Sequence, residues 1–466
     1  MVDVFFDNVL QVAWDALLEV DVFLASCRSV TLIRDVQGKI TLFVEPAAGV
    51  HIDRATVDET QSTLSKKLGP FFANDIWISD PDDDVLASLE RTIRMEREQA
   101  DWLKREKGSS LNCTVYILER RVAKEYWRAQ GSLDWELPWS VAEVDDGRRP
   151  AIITFYSFKG GQGRTTALAA VGLLLARRGF RVGMIDLDLE APGLGSIFFP
   201  DGSISMGVID YLINKPVLGA HFTLPTSVLS VIDRHLIGDG HPIRVIPAGH
   251  VNSAYLEKLA RLDFQHQMSR VIRDTMQQLL TEFADAYDLD VLFIDSRAGF
   301  HDLGGLAMTQ LSHAVVLLGN QSRQTWAGLV PVIQALSGHG VREPVPVVLV
   351  HAMAPGPSHV NFTHETRMFR ETAYDVFQRH YYPEQDPEEP DDIAVPNEND
   401  PEAPFHPVVV PWNENLRADL RLLRMGEDDT VRVKALVGIL TSQPYTELAE
   451  RLTSLFNRFV HPRSRG

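Results

Sequence analysis

The sequence predicts an α/β protein: a mostly parallel, doubly wound sheet preceded by a separate small α/β domain. Three observations predict it. From residue 150 onward, β-type apolar runs alternate with helical patterns, as parallel strands joined by crossover helices do. Most of those runs are apolar throughout, which suits strands covered on both faces. Before residue 150 the pattern differs, with two β-rich runs joined by a tight turn signal and few elements around them.

Residues 1 to 149 form the predicted N-terminal domain. Its first segment, "MVDVFFDNVLQVAWDALLEVDVF", is apolar but broken by Asp3, Asp7, Asp15, Glu19 and Asp21, so it reads as an amphipathic helix and not as a signal peptide. "SVTLIRD" and "KITLFVE" flank the turn "VQGK", and "TVYILER" is a third strand. Residues 83 to 107 read as one long charged helix. Arg120, Arg121, Lys124 and Arg128 cluster beside Tyr126 and Trp127, as a solvated helix face or a docking surface. No catalytic constellation occurs in this domain. Cys27 and Cys113 stand far apart in the sequence, in apolar surroundings, and match no metal pattern. They read as buried free thiols in a protein of a reducing cytosol.

The polar turn "VDDGRRP", residues 144 to 150, marks the expected domain boundary, and residues 150 to 462 the second domain. Its strands read "AIITFYS", "RVGMIDLD", "IRVIPAG", "DVLFIDS", "AVVLLGN" and "VPVVLVHA". Residues 383 to 404 are acidic and proline-rich, a composition that packs no core and predicts a surface loop. In the closing stretch "YTELAERLTSLFNRF", Tyr445, Leu448, Leu452, Leu455, Phe456 and Phe459 share one helical stripe. The formal net charge of −18 argues against a broad nucleic-acid surface, which needs clustered Lys and Arg. No uncharged run approaches the roughly 18 to 20 residues of a membrane span.

The chemistry concentrates in "SFKGGQGRTT", residues 157 to 166, between a buried strand and a helix. Gly160, Gly161 and Gly163 let the backbone turn so that the amides of Gly160 to Thr166, Gln162 among them, converge on phosphate oxygens. A helix starting near Arg164 adds its N-terminal dipole to the same anion. Thr165 is placed to ligate Mg²⁺ and Thr166 to donate to an inner phosphate. Asp186 and Asp188 follow at alternate positions of "MIDLDLE" and project from one face. Such carboxylates hold the waters of Mg²⁺ and orient an attacking water. Asp295 closes the apolar run "VLFID", as a Mg²⁺ carboxylate does. Arg164 keeps a permanent charge and a fork able to grip two phosphate oxygens, but it is bulkier than lysine, so binding is expected to survive and hydrolysis to slow.

These residues resemble the MinD/ParA family of P-loop ATPases, whose loop reads KGGxGK[ST][ST]. Here Lys159 opens that loop, Arg164 replaces its second lysine, and Phe158 replaces its first residue. "IDLD" is similar to the first switch and "IDSRAG" to the second, with Arg297 where the family has proline. "GVIDYLI" and "RVIPAG" are also similar, so the likeness is good over about residues 150 to 350 and weak over 405 to 460. The resemblance implies ATP and Mg²⁺ as cofactors and a homodimer that forms around nucleotide and parts on hydrolysis. It implies that Lys159 reaches across the dimer, that Asp188 assists the attacking water, and that Thr165, Asp186 and Asp295 organise Mg²⁺. His351 falls where many members carry a base-reading asparagine. The arginine loop resembles a bacterial subgroup found in conflict and signalling systems. The expected function is a cytoplasmic, slowly hydrolysing ATP switch acting on a protein partner through the N-terminal domain or the acidic loop. A non-hydrolysing regulator or scaffold is the alternative. A related tyrosine kinase would need a terminal tyrosine cluster, which "FVHPRSRG" lacks. Glu447 and Glu450 argue against a membrane-targeting last helix, and Glu427, Asp428 and Asp429 interrupt a DNA-binding surface of Arg417, Arg421, Arg424, Arg432 and Lys434.

Overall fold

A computed structural model describes residues 4–80, 83–99, 113–119, 127, 137–224, 228–264, 269–337, 343–382, 395–417, 420–424 and 427–460. Contacts divide the chain into two units. The first holds the described residues up to Glu119, and the second holds Trp127 and everything from residue 137 on.

The first unit is a four-stranded sheet in the order β3-β2-β1-β4. Its strands are β1 (Cys27–Arg34), β2 (Ile40–Pro46), β3 (Phe72–Ile78) and β4 (Thr114–Glu119). The turn between β1 and β2 makes them antiparallel, while β1 pairs with β4, and β2 with β3, in parallel. Val30, Leu32, Leu42 and Val44 pack on Val9, Ala13 and Leu17 of helix Val9–Leu18 and on Leu64 and Leu68 of helix Arg54–Leu68. The predicted charged helix spans Asp84–Gln99, and residues 100 to 107 lie outside the described residues. So does the basic cluster of Arg120, Arg121, Lys124 and Arg128.

The second unit carries an eight-stranded sheet in the order β12-β11-β10-β5-β9-β6-β8-β7. The strands are β5 (Ala151–Ser157), β6 (Val182–Asp186), β7 (Leu229–Val231), β8 (Ile243–Ile246), β9 (Val291–Asp295), β10 (Ala314–Gly319), β11 (Val347–Ala354) and β12 (Val408–Pro411). All neighbours run parallel except the edge pair β7 and β8. Alternate side chains enter opposite layers, as the two-residue period of a strand dictates. Val316, Leu318, Val348 and Val350 join the core around helix Arg164–Arg177. Val315, Leu317, Val347 and Leu349 join the core under helices Arg323–Leu336 and Phe362–His380. The sheet is therefore doubly wound.

Three expectations change. The turn at 144 to 150 is not where contacts divide the chain. Trp139 and Val144 belong to the core of the second unit, and the Trp139 indole donates to the Pro150 carbonyl at 2.7 Å. The acidic stretch is not coreless at its C-terminal end: Ala403 is buried, Val395 packs on the same cluster, and Arg451 donates to the Ala403 carbonyl at 3.0 Å. Residues 383 to 394 lie outside the described residues. Finally, the closing stripe breaks after helix Tyr445–Ser454, so that Leu455 is exposed while Tyr445, Leu448, Leu452, Phe456 and Phe459 are buried.

Candidate functional site

In an open parallel sheet, ligands bind beyond the C-terminal strand ends where the strand order reverses. Here that point lies around β5, with β10 on one side and β9 then β6 on the other. Register aligns the ends: Phe155 of β5 pairs with Asp295, and Asp295 pairs with Asp186 of β6. Thus the glycine loop, the first aspartate pair and the later aspartate, spread over 138 positions from Ser157 to Asp295 in the sequence, meet at one edge.

The loop is built from unusual backbone. Gly161 and Gly163 have φ of 74° and 75°, a region that strains any L side chain. Gly163 caps helix Arg164–Arg177 without a side-chain acceptor, so the first-turn amides are open to an anion. A Cβ on Gly160 or Gly161 would meet no atom within 4 Å, so space lies beside both. The Gln162 side chain is buried, with Oε1 lacking a hydrogen-bond partner. Amides at a helix N-terminus, open space and two threonines fit a phosphate chain.

Arg164 does not face that space. It is 8% exposed, and its fork is spent on two carboxylates. Nε donates to Asp295 Oδ1 at 2.7 Å, and a terminal nitrogen donates to Asp188 Oδ2 at 2.6 Å. In this conformation the side chain expected to grip phosphate is turned to these two carboxylates. The physical reason is local charge. Asp186, Asp188 and Asp295 are all buried at the strand ends, and the planar guanidinium is a cation able to bridge two of them. Thr165 Oγ1 joins the same network, donating to Asp295 Oδ2 at 2.6 Å.

Asp186 is fully buried and satisfied differently. Its oxygens accept the amides of Asp188 and Gly193, both at 3.2 Å, and of Leu194 at 3.0 Å, which pins the loop after β6. Burial, then the charge of Asp295, pushes its carboxyl well above the ordinary range. Burial also raises Asp295, against the opposing pull of Arg164 and Thr165. Asp188 Oδ1 accepts the Ala191 amide at 3.3 Å. Lys159 is half-buried, and no ion pair joins it to another described residue.

The structure adds residues that sequence reasoning did not assign. Glu190 pairs with Arg297 and lies 3.5 Å from His301 Nε2, tying the loop after β6 to the loop after β9. Glu190 follows Asp188, and Arg297 follows Asp295, by the same two positions; that echo was the available signal. Phe158 lies against Gly328, where a Cβ would come within 2.1 Å of its ring. Its other neighbour is Phe300 at 5.1 Å, which packs on Trp127 at 5.2 Å. The bulky residue at the loop's first position is thus housed by a glycine on helix Arg323–Leu336.

His351 is fully buried on β11 and stacks on Phe369 with centroids 4.2 Å apart. Neither ring nitrogen has a hydrogen-bond partner, and Glu365 Oε1, at 3.6 Å from Nε2, is too far to serve as one. Burial pushes the imidazole down to about 4. It packs in the core and is not open to a base in this conformation.

Residues 153–330 match the family model of the CobQ/CobB/MinD/ParA nucleotide binding domain. This part of the chain is similar to the nucleotide-binding domain of the MinD/ParA family. The chain shares 43% identity over 53 residues with a protein named as a probable plasmid-partitioning ParA of Thermus thermophilus, covering 11% of this chain and 16% of that one. It shares 29% identity over 170 residues with a protein carrying the name replication protein A from Rhizobium rhizogenes, covering 34% of this chain and 38% of that one. The matches therefore span well under half the length of these curated relatives. Among solved structures, pNOB8 ParA bound to nonspecific DNA is similar at 15% identity and a TM-score of 0.42, over 66% of this chain and 99% of that one. Among the described residues, no helix is long and apolar enough to cross a membrane.

Proposed function

We propose that this protein is a cytoplasmic, Mg²⁺-dependent ATP-binding switch that hydrolyses ATP slowly, dimerises with ATP bound and controls a protein partner. The observation that carries the reading is the buried bridge from Arg164 to Asp188 and Asp295, with Thr165 on the same carboxylate. The group that would bind phosphate and the groups that would manage metal and water hold one another.

The amides from Gly160 to Thr166 would bind the phosphates, and Thr165, Asp186 and Asp295 would hold Mg²⁺. Bound Mg²⁺ supplies neutralisation of phosphate charge. Arg164 would exchange its carboxylate partners for phosphate oxygens, two of which can accept its fork as a carboxylate does. The exchange frees Asp188 to orient a water. Because Arg164 must leave a buried double ion pair, turnover is slow, in keeping with a timer and with the arginine-loop subgroup of conflict and signalling systems. Lys159, uncommitted to any described acid, keeps its charge for the second copy across the dimer.

The scaffold reading rests on the same bridge: an Arg164 that never leaves Asp188 would leave no base-side carboxylate for hydrolysis. Measuring turnover and ATP affinity across a Mg²⁺ titration separates the two. Slow, Mg²⁺-dependent phosphate release supports the switch, Mg²⁺-dependent binding with none supports the scaffold, and no binding at millimolar ATP defeats both. Lys159→Ala should impair ATP-induced dimerisation more than binding by the monomer.

We assign the partner to protein and not to nucleic acid, read by the N-terminal unit or the acidic segment. Arg421 pairs with Asp201, Arg424 with Asp233, Arg417 with Glu414 and Arg432 with Asp429, so these cations are partly neutralised. A gel-shift assay with a nonspecific duplex and ATP should show no complex at physiological salt; a salt-sensitive complex would reverse the assignment.

A further inference from the structure

We propose that Cys27 and Cys113 form an oxidisable dithiol that closes to an intramolecular disulfide. These are the only two cysteines in 466 residues, 86 positions apart, yet the fold brings them together. β1 and β4 are parallel neighbours, with Ser29 opposite Thr114 and Val30 opposite Val115. Val30 and Val115 face the apolar core, and Cys113, two residues before Val115, faces the same way. Strict alternation would turn Cys27 to the other face. A register irregularity between Cys27 and Ser29 turns it back, so Cys27 is buried in the same core. Both thiols pack in that one cluster and both are free, with Cys27 Sγ donating to the Phe23 carbonyl at 3.0 Å.

The environments give the pair an order of reaction. Cys113 is half-buried and reachable, whereas Cys27 is only 2% exposed. The Cys27 thiol and the Val30 backbone hold Cys113 below the ordinary thiol range, against the effect of burial. The neighbouring Cys113 thiol, burial and the Cys113 charge push Cys27 up. Cys113 is therefore the attacking thiolate and Cys27 the resolving thiol. With a small-molecule disulfide as oxidant, the Cys113 thiolate forms a mixed disulfide and expels one thiolate. Cys27 gives its proton to water and attacks the Cys113 sulfur, expelling the second thiolate. Two protein thiols are oxidised and one small disulfide is reduced to two thiols. The product pins the start of β4 to the start of β1 and closes the intervening chain into a loop, which restricts the unfolded state.

The test uses the full-length protein in buffers of graded oxidised to reduced glutathione, with thiols counted by maleimide mass tagging after denaturation. The expected result is loss of both thiols together, a product two hydrogens lighter with no retained glutathione, and a melting temperature that rises and is returned by reductant. Cys27→Ser should accumulate glutathione on Cys113, and Cys113→Ser should leave Cys27 a free thiol. Independent glutathionylation of both cysteines in the wild type, or two intact thiols under a ratio that modifies Cys27→Ser, would overturn the proposal. The wild-type count decides the matter even if a variant fails to fold.

Discussion

Removing the Arg164 guanidinium would leave Asp188 and Asp295 buried without their bridging cation. Breaking such a pair costs about 3 kcal/mol or more, because the stranded charges remain desolvated. Arg164→Ala should therefore lower the melting temperature of the nucleotide-free protein by several degrees and weaken ATP binding as well. Arg164→Lys should fall between, since an ammonium keeps the charge but not the planar fork that spans two carboxylates. Scanning calorimetry with and without ATP checks both; an alanine variant that melts and binds like wild type would remove the bridge from the account. His351 gives a pH signature. Its folded imidazole titrates at about 4, below its ordinary 6.5, because burial disfavours the cation. Between those values the unfolded chain binds the extra proton, so stability declines as pH falls through the window and levels below it. The contribution lost between pH 7 and pH 5 is about 2 kcal/mol. Urea titrations at the two pH values should show that difference shrink in His351→Leu; an equal pH dependence in both proteins would contradict it. Little of this was legible in advance. Gly160 to Thr166 and the three aspartates announce themselves because each sits beside an apolar run. The target of the Arg164 side chain depends on carboxylates 24 and 131 positions away, which no local pattern encodes.

At the scale of elements, the loop before helix Arg164–Arg177 is held from outside as well as from within. The Phe158 ring occupies the place a side chain on Gly328 would take. Gly328→Ala should destabilise the protein by about 1 to 3 kcal/mol, the range for overpacking a filled core, and should lower ATP affinity by displacing Phe158. Adding Phe158→Ala should restore much of the stability. A double variant no more stable than the single one would show that the two residues do not compete for space. The elements easiest to read were those with long apolar runs, β5, β9, β10 and β11. The ones missed were β3, "FANDIWI", with two polar residues in its middle, and the short edge strands β7 and β12. A three-residue edge strand forms because a neighbour offers it a ladder, and its own sequence carries no period to detect. The nearness of Cys27 to Cys113 was hidden for a related reason: the irregularity at the start of β1 changes which face the side chain takes, and alternation alone gives the opposite answer.

At the scale of the whole molecule, the mostly parallel, doubly wound sheet was readable because strand and helix patterns alternate from Ala151 onward. The division of the chain was less so, since "VDDGRRP" has the composition of a linker but follows Trp139 and Val144, which bury themselves in the second unit. The central claim is that ATP converts one copy of this protein into a dimer while Arg164 trades carboxylates for phosphate. Sedimentation velocity of the purified full-length chain, with Mg²⁺ and either ADP or a non-hydrolysable ATP analogue, tests it most directly. The account predicts a monomer with ADP and a dimer with the analogue, the dimer being lost in Lys159→Ala. A wild-type protein that binds the analogue and stays monomeric would contradict it.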